Sequence, residues 1–224
     1  MTGTPARSPD VESLAMADID LTSRRDTCDG TGATGADACA GTTGRLPLSC
    51  DRIVVAAVRF VDNDCLDALS MRRLGAQLGV EAMSLYRYFP SKAALLDAAV
   101  CRMLSDVVLP GADAGAGWEA AVQAYARSFR AACAAHPRLL PLLATMGPAN
   151  PTGQAMDRRM CDLWQEAGFD PATAWSAQTA LQGYLTGSCI QGVGTPSGDA
   201  AFTLGLDALV AGLGGRLAET AVPA

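Results

Sequence analysis

Between Leu69 and Phe89 the chain sets cations, hydroxyls and aromatic rings at helical spacing. Arg72 and Arg73 stand on one side of a glycine turn; Ala82, Met83, Ser84, Tyr86, Arg87 and Tyr88 follow it, and Lys92 lies just beyond. No Ser/His/Asp or Cys/His set with supporting context accompanies them, no metal cluster, and no glycine loop that would cradle a phosphate. The chemistry open to these residues is recognition of a polyanion with readable edges, a DNA duplex. An arginine such as Arg72 binds guanine or phosphate bidentately, each good base contact being worth ~1–3 kcal/mol. Ala82 and Met83 offer only apolar contact, for instance to a thymine methyl, while Ser84 donates to base or phosphate. Tyr86 reaches a phosphate through its hydroxyl, Arg87 reads a base, and Tyr88 lies against the sugar-phosphate wall; packing of a small core is the other use of both tyrosines. Arg73 sits one position round the helix from Arg72, with contact and solvation equally open to it.

Such side chains need a rigid mount. Met71, Leu74 and Leu78 fall on one helical face at i, i+3 and i+7, and Gly79 follows where a left-handed residue ends a helix without steric cost. Val80, Leu85 and Phe89 point back into a small core, which leaves Ala82, Met83, Ser84, Arg87 and Tyr88 outward with Tyr86 at their flank. That is a helix-turn-helix whose second helix enters the major groove. Upstream, Ser49 is an N-cap and Asp51 an acid in the first turn of a helix with Ile53, Ala56 or Ala57, Phe60 and Val61 inward, ending near Asn63. Leu66 and Leu69 pack the link. Ser91 caps a fourth helix, with Leu95, Leu96, Ala99 and Met103 inward, running until Pro110.

After a short break at Gly111–Gly117, longer helices are expected at 118–135, 138–146, 152–168, 171–193 and 199–218, with prolines at or near their boundaries. With no strand alternation, the chain reads as all-α. Residues 1–44 lack sustained apolar periodicity and are expected to be a disordered tail. Residues 45–108 then form the DNA-binding domain and 109–224 a second helical domain.

Half of the 224 residues are apolar, enough for a sizeable core. No uninterrupted apolar run approaches the ~20 residues of a membrane helix, and the N-terminus lacks a secretory pattern, so a cytoplasmic protein with no membrane partner is expected. The eight cysteines are scattered without a C-x-x-C pair, and the single histidine, His136, completes no metal site with them. They read as reduced, mostly buried thiols, a redox switch being the sharper alternative. The net charge of −6 is uneven: −4 over residues 1–44, +1 over 45–106 and −3 over 107–224. A weakly charged reading head on an acidic body suits specific binding rather than coating of DNA.

Residues 48–108 resemble the tetracycline-repressor (TetR) family of bacterial transcription regulators. The likeness rests on Ala68-Leu69-Ser70-Met71-Arg72-Arg73-Leu74, Leu78-Gly79-Val80, Ser84-Leu85-Tyr86-Arg87-Tyr88-Phe89 and Lys92-Ala93-Ala94-Leu95-Leu96. Residues 109–224 match only in helix number and length, and Cys65 stands in the link where the family places a glycine. The resemblance implies an N-terminal three-helix reading head, a C-terminal ligand-binding and dimerisation domain, and a homodimer on a two-fold operator, released by a small effector. It places Arg72 and Lys92, the one lysine of the chain, at DNA-contacting positions. The dimer interface is expected from the small residues of the helix at 171–193 and from the stripe Phe202, Leu206, Leu209, Leu213 and Leu217. Phe129, Met146, Met156, Met160, Trp164, Trp175 and Tyr184 are candidates for an effector cavity, as they are for plain core, and Gln178 and Gln182 would orient a ligand. A repressor answering to a small, largely apolar effector, without a cofactor, is the expected function. The alternative is a helical DNA-binding architectural or interaction protein without an effector.

Overall fold

The computed structural model describes residues 47–111, 117–145 and 150–220. The tail expected over residues 1–44, Met146, Cys28 and Cys39 lie outside them. Every regular element among the described residues is helical: α1 (Cys50–Asn63), α2 (Met71–Leu78), α3 (Ala82–Tyr86), α4 (Lys92–Leu104), α5 (Trp118–Ala135), α6 (Leu140–Thr145), α7 (Pro151–Glu166), α8 (Pro171–Gly192) and α9 (Pro196–Thr220), with a 3₁₀ turn at Pro137–Leu139 before α6.

The first helices begin where their serines dictate. Ser49, Ser70 and Ser91 each accept a backbone N–H three residues on, from Arg52, Arg73 and Ala94, at 3.1–3.2 Å. Each cap is worth about 1 kcal/mol. Gly79 closes α2 in the left-handed region, φ 68°. Gly75 is required for a different reason: a Cβ there would lie 2.8 Å from the Val80 carbonyl oxygen and 3.3 Å from the Ala82 amide nitrogen. Only glycine lets α3 start this close to the back of α2.

Two expected boundaries move. Helix α4 stops at Leu104 rather than near Pro110, because the Val108 amide donates to Ser128 Oγ on α5 (2.7 Å) and draws the chain sideways. The helix expected at 138–146 divides into the 3₁₀ turn and α6, since Pro137 and Pro141 each remove a backbone donor.

Helix α1 packs on α4, and α2 on α3; α4 in turn meets α5, α6 and α7, and α8 lies between α7 and α9. Wholly buried Ile53, Leu74, Leu85 and Leu95 close the small core behind α3. The seam between the end of α1 and the 3₁₀ turn carries polar bonds. Arg138, in the 3₁₀ turn, donates through Nη1 to the carbonyls of Asp62 (2.7 Å) and Asp64 (2.6 Å) at the end of α1. His136 Nδ1 lies 2.8 Å from Asp62 Oδ2. The arginine thus caps the carbonyls of a helix whose link lacks the family's glycine.

Two expectations need correction. The α9 stripe packs within its own chain, with Phe202 and Leu206 buried and Leu209, Leu213 and Leu217 half-buried. The opposite face, Leu204, Ala208, Ala211, Gly215 and Ala218, is the exposed one, Leu204 to 75%. By length and composition α9 is apolar enough to cross a bilayer, although it carries Asp199, Asp207 and Arg216 and no uninterrupted apolar run. Of the six described cysteines only Cys133 and Cys189 are buried; Cys50 and Cys65 are exposed. Contact with the Cys189 thiol, and then burial, hold the Cys133 thiol well above the usual thiol range.

Candidate nucleic-acid interface and effector cavity

Helix α3 has one apolar anchor and an open flank. Leu85 is wholly buried, whereas Met83 is 70% and Tyr86 44% exposed, and Arg87 is exposed at the helix end. Ala82 and Ser84 are half-buried beside them. Arg72 is exposed in the first turn of α2. These six residues present apolar, hydroxyl and guanidinium groups on the protein's outside, suited to methyl, phosphate and base-edge contact.

The other three candidates are engaged within the chain. Arg73 donates to the Ala68 carbonyl (2.9 Å), stands over the Phe60 ring (4.9 Å from its centroid) and lies 4.0 Å from Asp64. It fastens the α1–α2 link. Tyr88 donates its hydroxyl to the Leu48 carbonyl (2.8 Å) and is half-buried, so the packing use of this tyrosine is the one realised. Lys92 Nζ donates to the Leu66 carbonyl at 3.3 Å. Two of its three ammonium protons remain beyond that bond, and a phosphate would compete for it.

In the later helices two adjoining cavities open between α6, α7 and α8, of about 200 and 380 Å³. They share Leu143, Asp157, Gln182 and Thr186. Of the sequence candidates, Phe129 and Met156 line the smaller cavity, Trp175 and Gln178 the larger, and Gln182 both. Met160 and Trp164 line neither. Met160 is wholly buried, and Trp164 packs in an aromatic cluster with Trp118 (ring centroids 5.4 Å apart) and Phe169 (5.5 Å). Tyr184 stacks on Phe202 and donates to its carbonyl (2.6 Å), against α9. Inside the cavity region Gln178 Nε2 donates to Asp157 Oδ1 (2.8 Å), and the Tyr125 hydroxyl donates to Gln182 Oε1 (3.3 Å). Burial, followed by the charge of Asp157, pushes the Tyr125 pKa far above the ordinary phenol value, so its proton stays in place. Among the described residues no cluster of His, Cys, Asp and Glu is built to hold a metal ion.

A family model described as bacterial regulatory proteins, tetR family, matches residues 53–99, and a second, the tetracyclin repressor-like C-terminal domain, matches 109–197. The chain belongs to the TetR family. It is 33% identical over 186 residues to the HTH-type transcriptional repressor DrrR1 of Streptomyces coeruleorubidus, covering 75% of this chain and 69% of that protein. It is 30% identical to the class A tetracycline repressor protein from transposon 1721 of Escherichia coli, covering 64% and 67%. Among solved structures, the TetR family protein ActR of Streptomyces coelicolor, in complex with actinorhodin, superposes with TM-score 0.67 at 27% identity, over 77% of this chain and 99% of that one. A TetR variant from Acinetobacter baumannii AYE, in complex with minocycline, gives 0.68 at 28% identity, over 76% and 99%. This TetR-family chain is therefore a DNA-binding, ligand-responsive regulator of transcription and not an enzyme.

Set against the structure of this TetR-family regulator, sequence reasoning missed Asp157, Thr186 and Leu143 as cavity residues. Asp157 carried a signal in principle, an acid one turn from Met160 on an otherwise inward face of α7. For Thr186 and Leu143 only the packing of α6 and α8 brings them to one place.

Proposed function

We propose that the protein is a cytoplasmic repressor that binds a palindromic operator as a homodimer and leaves it when a small effector enters the α6–α8 cavities. Residues 45–108 act as the reading head and 109–224 as the effector-binding and dimerising body. Arg72, Ala82, Met83, Ser84, Tyr86 and Arg87 meet the duplex; Lys92 adds a phosphate contact, while Arg73 and Tyr88 hold the head in shape. Phe129, Trp175, Gln178 and Gln182, with Asp157, meet the effector.

The observation that carries this reading is the division of α3 between wholly buried Leu85 and the open Met83, Tyr86 and Arg87. A helix held by one apolar pin presents the rest of its surface to a groove. Dimerisation is supported by the exposed small-residue faces of two adjacent helices: Ala180, Gly183 and Ile190 on α8, and Leu204, Ala208, Ala211, Gly215 and Ala218 on α9. Small side chains let two helix pairs approach closely, and a stripe this apolar is costly in water unless a second copy covers it. Release by an effector is supported by the seam, where the turn before α6 grips the end of α1 while α6 itself lines both cavities.

Selection of bound duplexes from a random pool by the purified protein tests the reading. A single two-fold symmetric sequence retained by a dimer is the expected result. Retention of every duplex alike, as in uniform coating, would favour an architectural protein.

A further inference from the structure

Resting on the cavities as the effector site, we propose that they select a cation: an apolar ring system carrying a protonated amine, which pairs with Asp157 and Gln178. Asp157 is the one charged residue among those lining the two cavities. Gln178 is only 1% exposed, and its Nε2 is committed to Asp157 Oδ1 at 2.8 Å. That bond fixes which way the amide points. Its Oε1 is left buried without a hydrogen-bond partner.

A buried carbonyl without a donor is a standing cost, and a half-buried carboxylate beside it without a cation is a second. One ligand group relieves both, an ammonium, which is a multiple donor with positive charge. The other polar groups do not take that role from the ligand. The Tyr125 proton is used by Gln182 Oε1, and Gln182 Nε2 faces Thr186 Oγ1 at 3.4 Å. Arg159 is not among the residues lining either cavity, and it donates to the Pro110 carbonyl (2.9 Å) and to Glu166 (3.2 Å). Burial first, and then the negative charge of Asp157, raises the Tyr125 pKa. Trp175, exposed at the wall of the larger cavity, offers a ring face for the cation, and Phe129 and Leu143 offer apolar contact for the rest of the molecule. An anion would meet Asp157 unshielded.

Calorimetric titration of the full chain, without DNA, with three probes of similar ring size tests the proposal: 9-(aminomethyl)anthracene as cation, acridone as neutral analogue and anthracene-9-carboxylate as anion. The cation is expected to bind roughly ten- to a hundredfold more tightly than acridone, the range a hydrogen bond to a charged group supplies, and the anion most weakly. D157N should bring 9-(aminomethyl)anthracene and acridone close to equal affinity. W175L, at an exposed position that leaves the core intact, should weaken the cation more than acridone, and it decides the matter if D157N does not fold. Equal or tighter binding of acridone or the carboxylate overturns the charge preference and leaves the cavities as the effector site. Failure of all three probes to bind overturns both.

Discussion

Between Cys50 and Leu104 the buried side chains are all apolar, and the groups able to recognise something point outward. Between Trp118 and Thr220 the core is also apolar but not wholly so. The two buried polar residues of the described chain, Arg130 and Gln178, lie there, as do the cavities, while the outer surface of α8 and α9 is small and apolar. Arg130 binds Asp199 (2.6 Å) and the Gly192 carbonyl (3.1 Å), tying α5 to the α8–α9 corner. The head reads a partner laid against it and keeps its polarity on the skin. The body encloses the partner it reads and meets its twin by surface, so two polar side chains are set within an otherwise apolar core and the exposed faces of α8 and α9 carry small apolar groups.

The comparison breaks most visibly at the apolar skin. Ala211→Glu places a charge in the middle of the exposed α9 face and should turn the dimer into monomers by analytical ultracentrifugation. Operator affinity should fall by roughly a hundredfold or more as the second head's contribution is lost. The same substitution on a monomeric body would change neither. In the head, Arg87→Ala removes an exposed guanidinium, the proposed base reader, without touching the core. It should cost about 1–3 kcal/mol of operator binding and relax discrimination at one position per half-site, with melting temperature unchanged.

At the seam, Arg138→Ala uncaps the end of α1. A loss of about 1–2 kcal/mol is expected, read by calorimetry as separation of one unfolding transition into an earlier head transition and a later body transition. One unaltered transition would show that the two regions are held together elsewhere. The smallest effect falls on Lys92→Ala. Affinity should weaken evenly across sequences, and the slope of log K against log salt should flatten by about 1. An unchanged slope would leave the lysine to its bond with Leu66.

The same contrast explains what could be read in the chain beforehand. The helix-turn-helix was legible almost residue by residue, because caps at Ser49 and Ser91, the left-handed Gly79 and the outward set on α3 are local matters of spacing. Gly75 was not singled out, since its need arises only when α3 crosses behind α2. Tyr88 and Arg73 resisted for a related reason: their partners, Leu48, Phe60 and Ala68, are brought to them by folding. In the body, helix positions followed from the prolines and the apolar period. The use of each face did not. Helix α9 is apolar on nearly every side, so no pattern told the stripe bearing Phe202 and Leu206, which turns inward, from the stripe bearing Ala208 and Ala211, which does not. The cavity depends on α6, α7 and α8 meeting, and a lone acid such as Asp157 on an amphipathic helix looks like any solvated charge until its neighbours are in place.

Methylation interference at guanine N7 on a selected operator, compared between the wild-type protein and Arg87→Ala, tests the central claim most directly, because N7 lies on the floor of the major groove. Two blocks of interference related by two-fold symmetry are the predicted result, with one guanine in each half-site becoming indifferent in the variant. Interference absent from every major-groove guanine, or an identical pattern in the two proteins, would contradict the placing of α3 in the groove.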